Sequence, residues 1–255
     1  MKIHFFEEYP TEENLKKIKY INFESKIYLA AKNILEFNHY KKYLNKSNIT
    51  FCYWPILEKS YWVSPFSYKY ELVKLINELE SRINLSEQLP ILFDLELPII
   101  NKKLFFINIM HFSKNKNRIK SIFSNQNNLH INIISAEYPI SSKFVKNLYE
   151  FIGISYPLEK YNHKKIMMFY SSMLKEKKIK KIKNYIINIP KVYINKYHIG
   201  LGTIASGIFG NEPILAPESL DEDLKFLNIN KMKETIIYRL GGLNKEYIRV
   251  IEKYI

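Results

Sequence analysis

Eight short apolar runs, each followed by a segment with helical spacing, constrain the fold of this 255-residue chain more than any other feature. Strands that alternate with helices predict a parallel sheet, because each parallel strand needs a crossover before the next. Eight such units predict a closed (β/α)8 barrel of the TIM type, and the chain has a length common for one such barrel. The predicted strands cover residues 2–6, 26–31, 49–54, 90–98, 130–135, 165–170, 197–202 and 234–239.

No linker, low-complexity tract or repeat interrupts this alternation, so we predict one domain over residues 1–255. An open doubly wound sheet is the competing fold, but it needs a glycine-rich turn after its first strand, where residues 7–10 read Glu-Glu-Tyr-Pro. The segment 100–124 is ambiguous, since its apolar part suits either a strand or a buried helix. We predict a helix, because only about seven residues separate that part from the fourth strand, too few for a parallel crossover.

The composition limits the class of protein. Hydrophobic residues make up 47% of the chain, which excludes a disordered protein. Cys52 is the single cysteine, so no disulfide framework exists and a reducing, cytoplasmic location is expected. The first residues run directly into a strand without a leader, and no apolar run approaches the roughly 20 residues of a membrane span.

The formal net charge of +14 would attract an anionic partner. The lysines are spread over several helical faces, however, which argues against nucleic acid, and only residues 175–183 form a dense basic run. Ile179 and Ile182 keep helical spacing within that run, so we interpret it as a solvated helix face. A non-catalytic barrel that binds an anionic partner through Lys177, Lys178, Lys180 and Lys181 stays one possible function.

Polar residues collect at the ends of the predicted strands, while the strand interiors are almost entirely apolar. In a barrel of this kind the catalytic groups come from the carboxyl ends of the strands. A purely structural barrel would have no need of this asymmetry. The strand-end residues are Glu7, Glu8, Lys32, Asn33, Trp54, Asp94, Glu96, Glu137, Tyr138, Tyr170, Ser171, Thr203 and Arg239.

Four of these residues are candidate catalytic carboxylates. Period-two alternation places Asp94 and Glu96 on one face of the fourth strand. Glu7 and Glu137 end the first and fifth strands and can converge with them at one barrel mouth. Because clustered carboxylates repel one another, either one of them stays protonated or a cation neutralises the group.

Each arrangement predicts a different chemistry. A protonated carboxyl is a general acid, as in glycoside hydrolysis, and needs no cofactor. A neutralising cation would be Mg²⁺ or Mn²⁺, bound by Glu7, Asp94, Glu96 and Glu137, in a phosphodiesterase or lyase. The third alternative is structural: two or more of the acids form buried ion pairs with Lys32, Lys59 or Arg239.

An apolar fourth strand that ends in Asp94-Leu95-Glu96 resembles the chitinase-like and lysozyme-like glycoside hydrolase barrels. The resemblance implies that Glu96 protonates the leaving oxygen and that Asp94 orients the substrate or supports this acid. The longer chitinase pattern has another Asp where this chain has Leu92. The lysozyme-like pattern has Asp near the end of the first strand, where this chain has Glu7 and Glu8.

Aromatic and glycine residues predict two kinds of ligand contact. Flat rings stack on the apolar faces of sugars, which favours an oligosaccharide substrate with Trp54 and Trp62 as platforms; ordinary packing of the long loop on the barrel is the alternative. Glycines after the seventh and eighth strands favour a phosphate instead, because these loops often form the phosphate site of such barrels, and tight turns are the alternative there. The predicted substrate-binding residues are Trp54, Trp62, Tyr61, Tyr138, Tyr170, Lys32, Arg239, Gly202, Thr203, Gly241 and Gly242.

Overall fold

Eight parallel strands close into a barrel in the order β1 to β8, which confirms the predicted fold class. The computed structural model describes residues 1–44, 46–82, 87–139 and 142–255. The fourth strand ends earlier than predicted, at Asp94, although the Leu95 N–H still donates to the carbonyl of Ala136. The strands are β1 (Lys2–Glu7), β2 (Ser25–Ala31), β3 (Ile49–Pro55), β4 (Leu89–Asp94), β5 (Ile131–Glu137), β6 (Lys164–Phe169), β7 (Tyr197–Gly202) and β8 (Glu234–Tyr238).

Helices follow the strands as the sequence predicts. The ambiguous segment 100–124 is helical, as two α-helices with a 3₁₀ turn between them at Ile109–His111. The sequence also predicts a helix over residues 141–152 after the fifth strand. This helix is observed from Lys143, and its predicted first residue, Ser141, lies outside the described residues. The α-helices are α1 (Glu12–Leu15), α2 (Ile34–Tyr43), α3 (Lys69–Glu80), α4 (Lys103–Ile107), α5 (Phe112–Ser124), α6 (Lys143–Ile152), α7 (Glu176–Ile187), α8 (Pro217–Ile229) and α9 (Lys245–Ile251).

The contacts divide the chain into two compact units. The first unit comprises Met1–Ala30, Tyr40–Phe51 and Ile166–Ile255, and the second comprises Ala31–His39 and Cys52–Lys165. One domain over the whole chain stays a prediction.

Strand register fixes which side chains share a face within each unit. In the first unit, Phe6 of β1 pairs with Tyr28 of β2 and Tyr238 of β8, and its ring contacts both tyrosine rings. In the second unit, Phe93 of β4 pairs with Ser135 of β5. Side chains alternate between the two faces of a strand, so these pairings also place the neighbouring residues.

The strands are buried on both faces, as expected for a parallel sheet covered by helices. Cys52 is buried in β3, as expected for a small apolar residue. No helix in the described part of the chain combines the length and hydropathy needed to cross a bilayer.

Candidate active site

The carboxyl end of β4 places Asp94 on the face turned away from α5. The ring of Phe93 lies 5.8 Å from that of Phe123, a residue of α5, so Phe93 faces the helices. Alternation then turns Asp94 to the opposite face, where its backbone partner in β5 is Ala136. Asp94 is buried. It therefore occupies the position at which barrel enzymes carry catalytic groups.

Glu96 lies two residues further along and is held by Tyr138. The Tyr138 hydroxyl donates a hydrogen bond of 2.6 Å to Glu96 Oε2. Glu96 is half-buried, so it keeps access to solvent. Burial and, after it, the negative charge of Glu96 hold the pKa of Tyr138 far above its usual range. Tyr138 thus stays protonated and acts as a permanent donor to this carboxyl group.

The long connection after β3 lies against the same strand end. The N–H of Val63 donates to the carbonyl of Asp94 at 3.2 Å. The buried carboxylate of Glu71, on α3, fixes the start of this connection by accepting from the N–H groups of Lys59 and Ser60 at 2.6 and 3.1 Å. The connection is therefore tied to the end of β4 and to α3 at once.

The two tryptophans predicted to be open platforms, Trp54 at the end of β3 and Trp62 in this connection, are buried. Trp54 and Trp62 belong to the core, whereas Tyr61 is half-buried. The Tyr61 and Trp62 rings meet edge to face, 5.5 Å apart. Of these three residues, Tyr61 alone leaves part of its ring available to a ligand.

Glu137 belongs to a different face of the second unit. Ser135 shares the helix-facing side of Phe93 through their register, and alternation gives Glu137 the same side. There Glu137 accepts from Lys165 Nζ at 2.8 Å and from the hydroxyls of Ser135 and Ser155 at 2.7 and 2.6 Å. The structure thus places Glu137 in a buried ion pair, on the side of the sheet away from Asp94.

Glu7 forms the corresponding ion pair of the first unit. Its buried carboxylate accepts from Arg239 Nη1 at 3.0 Å and from the backbone N–H groups of Gly241 and Tyr9 at 2.7 and 2.8 Å. Burial raises the pKa of Glu7 to about 7, while Arg239 and the two N–H groups oppose that rise. Asn14 of α1 is a further donor, at 3.3 Å, so Glu7 lies against the helix layer.

The glycines after β8 permit close packing around this ion pair. A Cβ atom on Gly241 would lie 2.4 Å from Arg239 Nη1, and one on Gly242 would lie 1.8 Å from the carbonyl oxygen of Ile204. The Gly241 N–H donates to Glu7 and the Gly242 N–H to the carbonyl of Arg239. Both amides that were predicted to bind a phosphate already have internal acceptors.

The remaining predicted residues of the first unit also make internal contacts. The Thr203 hydroxyl donates to the carbonyl of Pro213 at 2.7 Å, and the carbonyl of Gly202 accepts from Ser172 at 3.1 Å. Tyr170 is half-buried, with its ring 5.5 Å from that of Tyr238.

Lys32, in the second unit, is exposed directly after β2. Its N–H donates to Glu36 at 2.6 Å, so this backbone group is already bonded within the protein.

Two residues of these clusters escaped the sequence analysis. Lys165, which neutralises Glu137, was read only as the start of an apolar strand; a lysine inside such a strand is itself a signal of a buried partner. Tyr238, whose hydroxyl donates to Glu8, carried no signal because tyrosine is common in this chain. In the described ranges, no group of three or more His, Cys, Asp or Glu side chains is placed to hold a metal ion.

Comparison with known proteins shows the fold. No protein-family model matches the chain, and no curated protein matches its sequence. A GH18 chitinase from Pseudoalteromonas aurantia has a similar structure, with a TM-score of 0.62, 8% identity and 100% of both chains covered. The spore cortex-lytic enzyme SleL from Bacillus megaterium has a TM-score of 0.55 and 13% identity, over 100% of this chain and 74% of that chain.

A xylose isomerase domain containing protein from Salmonella typhimurium is also similar, with a TM-score of 0.52, 11% identity, and 99% of this chain and 95% of that chain covered. The predicted resemblance to chitinase-like barrels is therefore confirmed for the fold. Because a hydrolase and an isomerase domain share this barrel, the likeness alone does not define the reaction.

Lys165→Met should destabilise the protein by about 3–5 kcal/mol, because it leaves Glu137 buried without its cation. The additional change Glu137→Gln should recover part of this loss. Urea unfolding of the single and double variants measures both effects. If Lys165→Met and the unmodified protein had equal free energies of unfolding, the ion pair would make no net contribution to stability.

Arg239→Gln should cost more stability at pH 8 than at pH 5. The pKa of Glu7 is already raised by burial from 4.5 to about 7, so its contribution to stability is full below 4.5 and is lost as the pH rises through 7. Without Arg239 the pKa of Glu7 rises further, so ionisation of this buried carboxyl group lowers the free energy of unfolding more at pH 8 than in the unmodified protein. Free energies of unfolding measured between pH 5 and pH 8 give the difference. In the double variant Arg239→Gln with Glu7→Gln, the effect of Arg239→Gln should no longer depend on pH.

Proposed function

We propose that this barrel is a glycoside hydrolase that cleaves an oligosaccharide with Glu96 as general acid. The observation that carries the proposal is the hydrogen bond from Tyr138 to Glu96 at the carboxyl end of β4, beside Asp94. The similarity of the fold to a chitinase and to a spore cortex-lytic enzyme supports a glycan as the substrate.

The contact of Glu96 with Tyr138 suits an acid that must be held in position. The Tyr138 hydroxyl donates to Oε2 and so fixes the carboxyl group beside the end of β4. The group is half-buried, so a substrate can reach it while water is partly excluded. A hydrogen bond from a fixed donor keeps the carboxyl group in one orientation, which a proton transfer over hydrogen-bond distance requires.

Asp94 has the supporting role in this proposal. It lies two residues before Glu96 at the end of β4 and would support this acid or orient the substrate, the role that the resemblance to chitinase-like barrels implies. Glu137 has no part in this proposal, because Lys165 neutralises it on the other side of the sheet.

Tyr61 is the aromatic contact that the proposal retains. Its connection is hydrogen-bonded to Asp94 through the N–H of Val63, and its ring is partly exposed. A ring in this position can cover the apolar face of a sugar residue bound at the end of β4.

Glu96→Gln should reduce kcat/KM for unactivated glycosidic bonds by about 10²–10⁴-fold, the usual contribution of a general acid. Glycosides with a dinitrophenyl leaving group need little protonation and should lose far less. Release of reducing ends from chitin oligosaccharides and from spore cortex fragments, compared with dinitrophenol release, measures the contrast. Glu80→Gln, at an exposed position of α3, is the matched control. Full activity of Glu96→Gln on both substrate types would refute the proposal.

Tyr138→Phe should shift the alkaline limb of the pH–rate profile to higher pH. Tyr138 stabilises the carboxylate form of Glu96 by hydrogen bonding, so its removal lets the acid keep its proton to higher pH. A profile of kcat/KM against pH measures the shift, with Tyr185→Phe on α7 as control. An unchanged profile would show that Tyr138 does not act on the acid.

A further inference from the structure

The connection after β4 exposes large apolar side chains where a surface turn normally presents polar ones. Phe106 is 81% exposed and Met110 is 85% exposed. We call residues 99–110 the apolar segment. Its exposed apolar side chains are Ile99, Ile100, Phe106, Ile107, Ile109 and Met110.

Folding does not account for these exposed side chains, because other residues hold the segment in place. Leu104 is buried, and the ring of Phe105 packs at 4.7 Å against that of Phe66. Asn108 is buried as well, and its Nδ2 donates to the carbonyl of Phe66 at 2.8 Å. One side of the segment is therefore anchored, and the other presents several large apolar side chains to solvent, a feature typical of interaction sites.

The sequence interval that contains the apolar segment carries charged residues of a single sign. None of the 25 acidic residues of the chain lies between Glu96 and Glu137. Six cationic residues lie in the same interval, and Lys102, Lys103 and Lys114 are exposed within or beside the apolar segment. The basic residues of the interval are Lys102, Lys103, Lys114, Lys116, Arg118 and Lys120.

Helix α6 adds a second exposed apolar face next to the start of α5. None of its residues is buried, and Phe144, Leu148 and Phe151 recur at helical spacing on one side, all exposed. Lys116 of α5 lies 4.8 Å over the ring of Phe151, which connects the two elements. The exposed apolar area is thus larger than the apolar segment itself.

We propose that the apolar segment docks the protein on an anionic lipid surface. Phe106 and Met110 would enter the level of the headgroups, while Lys102 and Lys103 contact the lipid phosphates. The contact is peripheral, since α4 has only five residues. It is independent of the proposed hydrolase activity.

Positive charge favours an anionic lipid surface over two other possible partners, a second copy of the chain and a neutral polysaccharide. A second copy of the chain would bring two cationic intervals together without an acidic residue between them. A neutral polysaccharide could stack on the ring of Phe106, but it would gain nothing from the lysines. Exposed aliphatic groups beside cations fit a surface with anionic headgroups above an apolar layer.

Flotation with vesicles of phosphatidylcholine, with and without phosphatidylglycerol, tests the proposal. The unmodified protein should bind only vesicles that contain phosphatidylglycerol. Phe106→Ser combined with Met110→Ser should weaken that binding by about tenfold or more, because two apolar anchors are removed. Lys102→Glu combined with Lys103→Glu should weaken it as strongly and reduce its dependence on salt.

Two control variants separate the segment from general hydrophobicity and charge. Leu35→Ser changes an equally exposed apolar residue on α2 (80% exposed) and should leave binding unchanged. Lys177→Glu combined with Lys178→Glu removes exposed charges from α7 and should weaken binding far less than the change at Lys102 and Lys103.

A substitution that retains the apolar character gives an independent readout. Phe106→Trp should show a blue shift of indole fluorescence on vesicles with phosphatidylglycerol and none on phosphatidylcholine alone. The proposal is overturned if this shift is absent, or if the α7 variant loses as much binding as the change at Lys102 and Lys103. It is also overturned if the Ser variants abolish self-association or binding to insoluble chitin while vesicle binding persists.

Discussion

The arrangement of the second unit depends on the buried ion pair between Glu137 and Lys165. A carboxylate at the end of a covered strand is unstable without a cation and hydrogen-bond donors, and here Lys165, Ser135 and Ser155 supply them. The pair joins the end of β5 to the start of β6. It also fixes the direction of the next side chain, since alternation turns Tyr138 to the opposite face and toward Glu96.

The first unit separates two consecutive acids in the same way. Glu7 is directed to the helix layer and paired with Arg239, whereas Glu8 is directed to the face of Phe6 and accepts from Tyr238. In both units, therefore, one acid at the strand end is neutralised among the helices. Burying such a pair costs desolvation free energy, so its main effect is to fix the positions of the neighbouring side chains rather than to add stability.

The strands were predictable because each is a short apolar run followed by a segment with helical spacing. The direction in which the strand-end side chains point was not predictable. Strands buried on both faces give no polar alternation that marks the inner side. Glu137 could thus be placed at the end of β5, while its direction depends on Lys165, far along the chain. The burial of Trp54 and Trp62 and the internal acceptors of Gly241 and Gly242 are likewise tertiary properties. The shared face expected for Asp94 and Glu96 stays a prediction, because β4 ends at Asp94 and alternation does not extend to Glu96.

The proposed acid and the proposed docking surface belong to one continuous stretch of the second unit. Glu96 is three residues before Ile99, where the apolar segment begins. Even a fully extended chain would keep them within about 10 Å of each other. If the segment rests on a lipid surface, Glu96 lies close to that surface and can reach glycans that are held there. If both proposals hold, the glycan that is cleaved would be one held near that surface.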